Sequence, residues 1–198
     1  MHSKEVRLPM TKRLSDWFRR LSRGWVALAG LLLFILFAAL VLPRQSASAR
    51  ATAGGAGSPD TSFTYSAEDL YDFAEAYGEQ GRQAYVRARY TFDAVFPLVY
   101  AFFLTTSIAW IYSRAFSTES RWQRFNLVPL LGLLFDYLEN LSTSLVMLRY
   151  PQPTPVVDAL APVFTTLKWV FVGGSFVLLV LGVAVGLGRR LTRKTGPT

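Results

Sequence analysis

The sequence predicts an all-α fold, an integral membrane bundle of four helices with a short amphipathic helix outside the bilayer. Hydrophobic residues make up 52% of the 198-residue chain, and the mean hydropathy is +0.28. These residues form runs long enough to cross a bilayer, which takes roughly 20 residues as a helix. Basic residues lie mostly between and beyond the runs, as expected for one multi-pass domain. The runs lie near Gly24–Leu42, Ala94–Ser113, Asn126–Leu148 and Val156–Gly188.

The first run raises the question of a signal peptide, because the Ala-Ser-Ala sequence at 47–49 resembles a signal-peptidase site. The apolar stretch of a signal peptide is usually only about 7–15 residues long. This run is longer and follows a long basic tail, so we expect an uncleaved transmembrane helix. Cleavage would leave three spans and place the mature N-terminus outside.

Composition sets the other boundaries. The small and polar residues that follow the first run are typical of a flexible linker. Ser66 and Asp69 have the spacing of a capping box, and Gly78 is a natural helix end. We expect a second helix to start near Gly81 and to run unbroken into the second span. The predicted segments are a tail at 1–23, span one at 24–43, a linker at 44–65, an amphipathic helix at 66–80, a helix with span two at 81–113, a loop at 114–125, span three at 126–148, a turn with span four at 149–188, and a tail at 189–198.

The net charge of +8 is unevenly distributed. Fourteen of the 21 Lys and Arg residues lie in the two tails and the 114–124 loop, which four spans place on one side. This pattern predicts that both termini are cytoplasmic. We expect the basic tails to face anionic lipid headgroups, so membrane lipid is a predicted partner and nucleic acid is not.

Several kinds of chemistry are disfavoured. The chain has no cysteine and one histidine, His2, so a thiolate or histidine metal site is not expected. The sequence motifs of serine hydrolases, zinc proteases, phosphate-binding loops and dinucleotide-binding turns are missing. We therefore expect no cofactor and assign no catalytic residue.

A polar stripe lies within the third run. Asp136, Glu139, Asn140 and Thr143 are spaced i, i+3, i+4 and i+7, which places them on one face of a helix. Ionisable groups at mid-membrane cost a few kcal/mol and are usually kept for a partner, a cavity or a reaction. These four residues are therefore the principal candidates for an intramembrane site.

A second stripe descends into the membrane along the predicted helix 81–113. Its members recur at three- or four-residue steps: Arg82, Tyr85, Arg89, Asp93, Pro97 and Tyr100. Arg89 and Asp93 can form an i, i+4 ion pair, and Pro97 leaves one backbone carbonyl free. Arg82, Tyr85 and Arg89 are candidates for binding a lipid headgroup, while Asp93 and Tyr100 are candidates for the pocket below. The alternative is an interfacial ion pair with snorkelling arginines.

The depth of each residue follows from counting along antiparallel spans. Aligning the ends of spans two and three places Tyr100 at the height of Glu139. In span four, counting outward from Arg189 places Lys168 at the outer interface and the pair Gly173-Gly174 near Glu139, where helices can approach closely. Counting inward from the turn instead places Lys168 level with Asp136. We favour the first register.

The function of the two carboxyl groups is left open by the sequence. Because they repel each other when both are ionised, we expect at least one to be protonated. They could be a packing device that locks helices together in a structural or assembly subunit, which would have a membrane-protein partner or a second copy. They could belong to a proton-coupled carrier. The interpretation that we favour is a polar pocket among spans two, three and four that binds a lipid-like or lipophilic ligand.

Three short patterns carry a resemblance. They are Gly-Arg-x-x-Tyr from Gly81, Asp-x-x-x-Pro-x-x-Tyr from Asp93, and Asp-x-x-Glu-Asn from Asp136. The segments 78–100 and 135–151 that contain them resemble parts of uncharacterised bacterial four-span membrane proteins. The resemblance implies the fold and draws attention to these residues, but it implies no activity.

Overall fold

A computed structural model describes residues 9–52, 57–59 and 62–194, and these are almost entirely helical. A π-helical turn at Phe37–Val41 and a 3₁₀ helix at Arg121–Leu127 connect parts of the chain. The α-helices are α1 (Met10–Leu21), α2 (Gly24–Leu36), α3 (Leu42–Thr52), α4 (Ala67–Tyr90), α5 (Phe92–Ala115), α6 (Val128–Arg149) and α7 (Val157–Lys194).

Two segments near the N-terminus differ from the prediction. The basic tail contains α1, and the predicted linker begins as helix, because α3 continues through 44–52. That stretch has no glycine or proline, so nothing in it ends a helix. Pro43 sits in the first turn of α3, directly after the wider π-helical turn, where its missing N–H is tolerated. Residues 53–56 and 60–61 of the predicted linker lie outside the described residues.

The start of α4 is the predicted capping box. The Ser66 hydroxyl accepts from the Asp69 N–H at 3.1 Å, and the Asp69 carboxylate accepts from the Ser66 N–H at 2.7 Å. Gly78 interrupts α4 with φ 60° and ψ −177°, a backbone conformation that suits glycine. The amphipathic segment before Gly78 therefore ends where the sequence predicts.

The expected unbroken helix from Gly81 into the second span is wrong. Helix α4 ends at Tyr90, and α5 begins at Phe92, after Thr91 with φ −115° and ψ −81°. The Thr91 hydroxyl donates to the Arg87 carbonyl at 2.8 Å, an alternative to the backbone ladder that helps to end the helix.

Helix α4 caps one end of the bundle. The Tyr71 hydroxyl donates to the Asp158 carboxylate at 3.0 Å, which ties α4 to the start of α7. Its apolar side chains pack on α6 and α7 in one buried cluster. The members of this cluster include Leu70, Ala74, Tyr77, Tyr85, Val146, Met147 and Ala161.

The bundle is formed by α2, α5, α6 and α7. Helix α6 runs antiparallel to α5 and α7, which are parallel to each other, and the Tyr112 hydroxyl joins the last two by donating to the Leu178 carbonyl at 2.8 Å. Helix α2 packs on α5 where the rings of Phe34 and Phe103 stack with centroids 5.0 Å apart. This interface attaches α2 to the side of the bundle.

Three helices are long and apolar enough to cross a membrane: Gly24–Ala47, the helical stretch Ala67–Ala115 and Val157–Thr192. The all-α membrane-type bundle is thus confirmed. Helix α6, the predicted third span, has 22 residues but is not among the three. Its polar stripe lowers its hydropathy, and ten of its residues, including all four of that stripe, are buried.

Candidate functional site

The polar stripe of α6 faces the interior of the bundle. Glu139 and Thr143 are fully buried, and Asp136 and Asn140 are 9% and 7% exposed. Since α6 lies between α5 and α7, with α4 over its end, polar groups from all three neighbours can reach this face. The four side chains lie on one face, as their spacing predicts.

Glu139 has two partners on α7. Its carboxylate forms an ion pair with the Lys168 ammonium and accepts from the Thr165 hydroxyl at 2.8 Å. The Thr165 hydroxyl also lies 3.1 Å from the hydroxyl of Tyr65, which precedes α4. Burying a carboxylate and an ammonium is tolerated when each is paired and hydrogen-bonded. Glu139 therefore sits at the centre of a polar chain that leads to the capped end of the bundle.

Asp136 has neutral donors as neighbours. The Tyr100 hydroxyl of α5 donates to its carboxylate at 3.0 Å, and the Asn140 amide donates at 3.1 Å. Hydrogen bonds to a carboxylate stabilise its charged form. The Tyr100 ring packs edge-on against Phe96 with centroids 5.9 Å apart. Because the Tyr100 ring is itself buried, its packing holds the hydroxyl in position.

Asn140 connects the stripe to α4 and α5. Its side-chain oxygen accepts from Arg89 at 3.3 Å, and its amide donates to the Asp93 carbonyl at 3.4 Å. Asp93 lies four residues before Pro97, so its carbonyl has no backbone N–H to accept from within the helix. The backbone carbonyl that Pro97 leaves free is therefore that of Asp93, and it accepts a hydrogen bond from Asn140 of α6.

Arg89 is occupied within the protein. It forms the predicted i, i+4 ion pair with Asp93 at 2.9 Å, and its guanidinium lies over the Tyr85 ring, 4.3 Å from the centroid. Arg82, the other predicted headgroup ligand, donates to the Ala74 carbonyl at 2.8 Å and lies 4.6 Å from the centroid of Tyr150. All three headgroup candidates, Arg82, Tyr85 and Arg89, therefore make contacts that hold α4 on the bundle.

Thr143 differs from its three companions. Its hydroxyl donates to the Glu139 carbonyl of its own helix at 2.9 Å. This back-bond satisfies a buried hydroxyl without a partner on another helix. Thr143 therefore supports the helix face rather than the polar chain.

Two depth predictions need correction. Tyr100 contacts Asp136 instead of Glu139, one turn away from its predicted level. Lys168 is 7% exposed and pairs with Glu139, so it lies level with the polar stripe, where the favoured register placed Gly173 and Gly174. The seven-residue turn between α6 and α7 sets the register of α7, so counting inward from that turn was the better guide. That register still predicts the wrong partner, because Lys168 pairs with Glu139 rather than with Asp136.

The predicted close approach at Gly173 and Gly174 is also wrong. A Cβ atom added at either position would meet no heavy atom within 4 Å. The close contacts of α7 lie elsewhere: a Cβ at Gly132 of α6 would lie 2.9 Å from the Val172 side chain, and one at Gly182 would overlap the Tyr112 ring. Small residues do permit close approach here, at Gly132 and Gly182 rather than at Gly173 and Gly174.

A groove of about 180 Å³ lies apart from this site, between α1, α5 and α6. Its wall is almost entirely apolar. The Thr105 hydroxyl lies in that wall, buried and without a hydrogen-bond partner among the described residues. The lining includes Phe18, Leu98, Ala101, Thr105, Leu130 and Leu133.

The chemistry of the α6 site is that of buried, titratable groups. Three carboxyl groups (Asp93, Asp136, Glu139) and two cationic groups (Arg89, Lys168) lie along it. Within the described residues, no cluster of three or more His, Cys, Asp or Glu could hold a metal ion.

Comparison with protein-family models, with curated proteins and with solved structures finds no match to this chain.

Proposed function

We propose that this chain is a multi-pass membrane protein that takes up and releases a proton at Glu139, as a proton-coupled carrier does. The observation that carries the proposal is the ion pair between fully buried Glu139 and Lys168, with a second carboxyl group, Asp136, one turn away. Ionisable groups at this depth are rare and commonly mark proton or substrate pathways.

The arrangement offers a way to balance charge during proton uptake. Protonation of Glu139 would remove the negative partner of Lys168 and leave a buried ammonium, which is costly. Asp136 lies on the same face of α6, one turn away, and the long lysine side chain is flexible. In the proposed mechanism, Lys168 moves from Glu139 to Asp136 when Glu139 is protonated, and it returns when the proton leaves.

A route for the proton is supported from the capped end. The Tyr65 hydroxyl, the Thr165 hydroxyl and the Glu139 carboxylate follow one another at 3.1 and 2.8 Å. Hydroxyl groups both donate and accept hydrogen bonds, so such a chain can pass a proton by reorientation. Tyr65 lies before α4, the cap helix, which would place its access at the membrane face opposite the basic tails.

The membrane topology belongs to the same proposal. Helices α5 and α7 run parallel, and both are apolar enough to cross the bilayer. A chain that crosses twice in one direction must return in between, and α6 is the connecting helix. Four crossings, together with the basic residues of both tails and of the 114–124 loop, support cytoplasmic termini in a bacterial inner membrane.

The proposal can be tested by proton flux. The purified full-length chain is reconstituted in liposomes that enclose a pH-sensitive dye, and an imposed potential drives protons inward. We expect Glu139→Gln to lose most of the flux, while Glu75→Gln, an exposed change in the cap helix, retains it. Equal flux in all three proteins would contradict a carrier and would favour the structural or assembly role, in which the ion pair only holds helices together.

The groove between α1, α5 and α6 favours a second candidate, binding of a lipid-like ligand. Its apolar wall and the buried Thr105 hydroxyl suit an acyl chain that carries one polar group. The arginines predicted to hold a headgroup are engaged within the protein, so this ligand would lie in the groove instead. Ala101→Trp should fill the groove and abolish lipid retained in native mass spectrometry; unchanged retention would contradict this candidate.

A further inference from the structure

Helix α1 is hydrogen-bonded to the basic end of the bundle. The Ser15 hydroxyl donates to the Gln123 carbonyl at 3.0 Å, and the Asn126 amide donates to the Ser15 carbonyl at 3.1 Å. Both Ser15 and Asn126 are buried, at 1% and 0% exposed. One face of α1 is therefore fixed to the 3₁₀ helix that precedes α6.

A face of α1 that points away from these contacts carries an apolar stripe. Met10, Leu14, Trp17 and Leu21 are 85%, 39%, 53% and 49% exposed. Steps of four, three and four residues place them along one line of the helix. A soluble surface rarely exposes such a continuous line of large apolar side chains.

Basic residues accompany the stripe. Arg13 and Arg20 of α1 and Arg23, two residues after its end, are exposed, and further arginines of the 114–124 loop lie at the same end of the bundle. The acidic residues nearby are each paired with a basic residue: Asp16 lies 2.9 Å from Arg19, and Glu119 lies 3.9 Å from Lys12. The surface around α1 is therefore strongly positive.

We propose that α1 is an in-plane anchor that binds acidic phospholipids at the basic end of the bundle. Its apolar stripe would enter the boundary between headgroups and acyl chains, and Arg13 and Arg20 would bind lipid phosphates. An exposed apolar line flanked by basic residues is the pattern of interfacial helices. Trp17 suits the interface, and α2 starts only three residues after α1 ends, so α1 lies where the bundle enters the membrane.

The charge balance favours lipid over a second copy of this chain as the occupant. A second copy would present the same arginines and so repel the first, whereas acidic headgroups attract them. This inference is independent of proton uptake at Glu139, because it involves no residue of that site.

The test uses the cysteine-free background of the chain. Leu14→Cys is labelled with an environment-sensitive fluorophore, and the full-length protein is placed in bilayers of phosphatidylcholine and phosphatidylglycerol with one or the other lipid brominated. We expect quenching by both lipids and stronger quenching by brominated phosphatidylglycerol. Arg13→Gln with Arg20→Gln should lower that preference by about fivefold for each arginine removed.

The matched control is Arg87→Gln with Arg149→Gln, which removes the same charge from exposed positions at the capped end of the bundle and should keep the preference. Absence of quenching by either lipid would overturn the proposal, as would equal quenching by both. A control that loses the preference as fully as the α1 variant would also overturn it. Disulfide-linked dimers through an unlabelled Leu14→Cys, with the position shielded from lipid, would show that a second copy covers the stripe instead.

Discussion

Lys168 of α7 forms an ion pair with Glu139 of α6, and the glutamate is completely buried. The pair lies between α6 and α7, and Lys168 is only 7% exposed, so both charges are shielded by the protein. Because each charge would be very costly alone, the helices that carry them are coupled: α7 cannot leave α6 without exposing an ion. This relationship links the stability of the bundle to the proposed proton chemistry.

The ion pair predicts strong coupling between two substitutions. Glu139→Leu and Lys168→Met should each lower the free energy of unfolding by about 3–5 kcal/mol, since each leaves one buried charge unpaired. The double variant should recover most of that loss, because both charges are gone. Thermal unfolding in detergent measures the cycle, and additive losses in the double variant would show that the two side chains do not interact.

The hydrogen bond between Tyr100 and Asp136 predicts a smaller effect. Tyr100→Phe keeps the packed ring but removes the hydroxyl, so stability should fall by about 1–3 kcal/mol. Tyr90→Phe is the matched control, because Tyr90 is 60% exposed and should lose almost nothing. Equal melting temperatures for the two variants would show that the Tyr100 hydroxyl does not stabilise the carboxylate.

The contact of α5 with α7 predicts a difference between two glycines of one helix. A Cβ at Gly182 would overlap the Tyr112 ring, while one at Gly186 would meet no atom within 4 Å. Gly182→Ala should therefore destabilise the protein by about 1–3 kcal/mol. Gly186→Ala should be neutral or stabilising by up to about 1 kcal/mol, because alanine is the better helix former. A Gly182→Ala variant as stable as Gly186→Ala would mean that α5 and α7 do not approach closely at this point.

The proposed topology predicts which ends are accessible from outside the cell. A thiol reagent that does not cross membranes should label intact cells carrying Gly57→Cys, near the cap helix, but not those carrying Thr195→Cys. Permeabilised cells should be labelled at both positions. Labelling of Thr195→Cys alone in intact cells would reverse the orientation.

Much of the fold follows from local features that the sequence displays directly. The capping box at Ser66, the helix interruption at Gly78 and the Arg89–Asp93 pair each depend on residues a few positions apart, so spacing is enough to predict them. The polar face of α6 is predictable for the same reason, since its period is that of one helix.

The contacts between helices were harder to predict from the sequence. Lys168 was misplaced because span length alone does not set the depth of α7; its helix is 38 residues long and extends beyond any single crossing. Tyr100 was misplaced by one turn because its level was counted from the loop between α5 and α6, where residues Arg121–Leu127 form a 3₁₀ helix instead of a regular α-helix. Thr165 and Tyr65 were missed, since a threonine in an apolar helix and a tyrosine in a loop carry no signal until the helices are packed.

The most direct test of proton uptake at Glu139 is infrared difference spectroscopy of the full-length protein in bilayers, recorded between alkaline and acidic buffer. We predict a band from a buried protonated carboxyl group that appears on acidification. It should persist in Glu75→Gln and disappear in Glu139→Gln, with thermal unfolding used to verify that this variant is folded. A band that survives in folded Glu139→Gln, or one that is lost only in Asp136→Asn, would contradict the account.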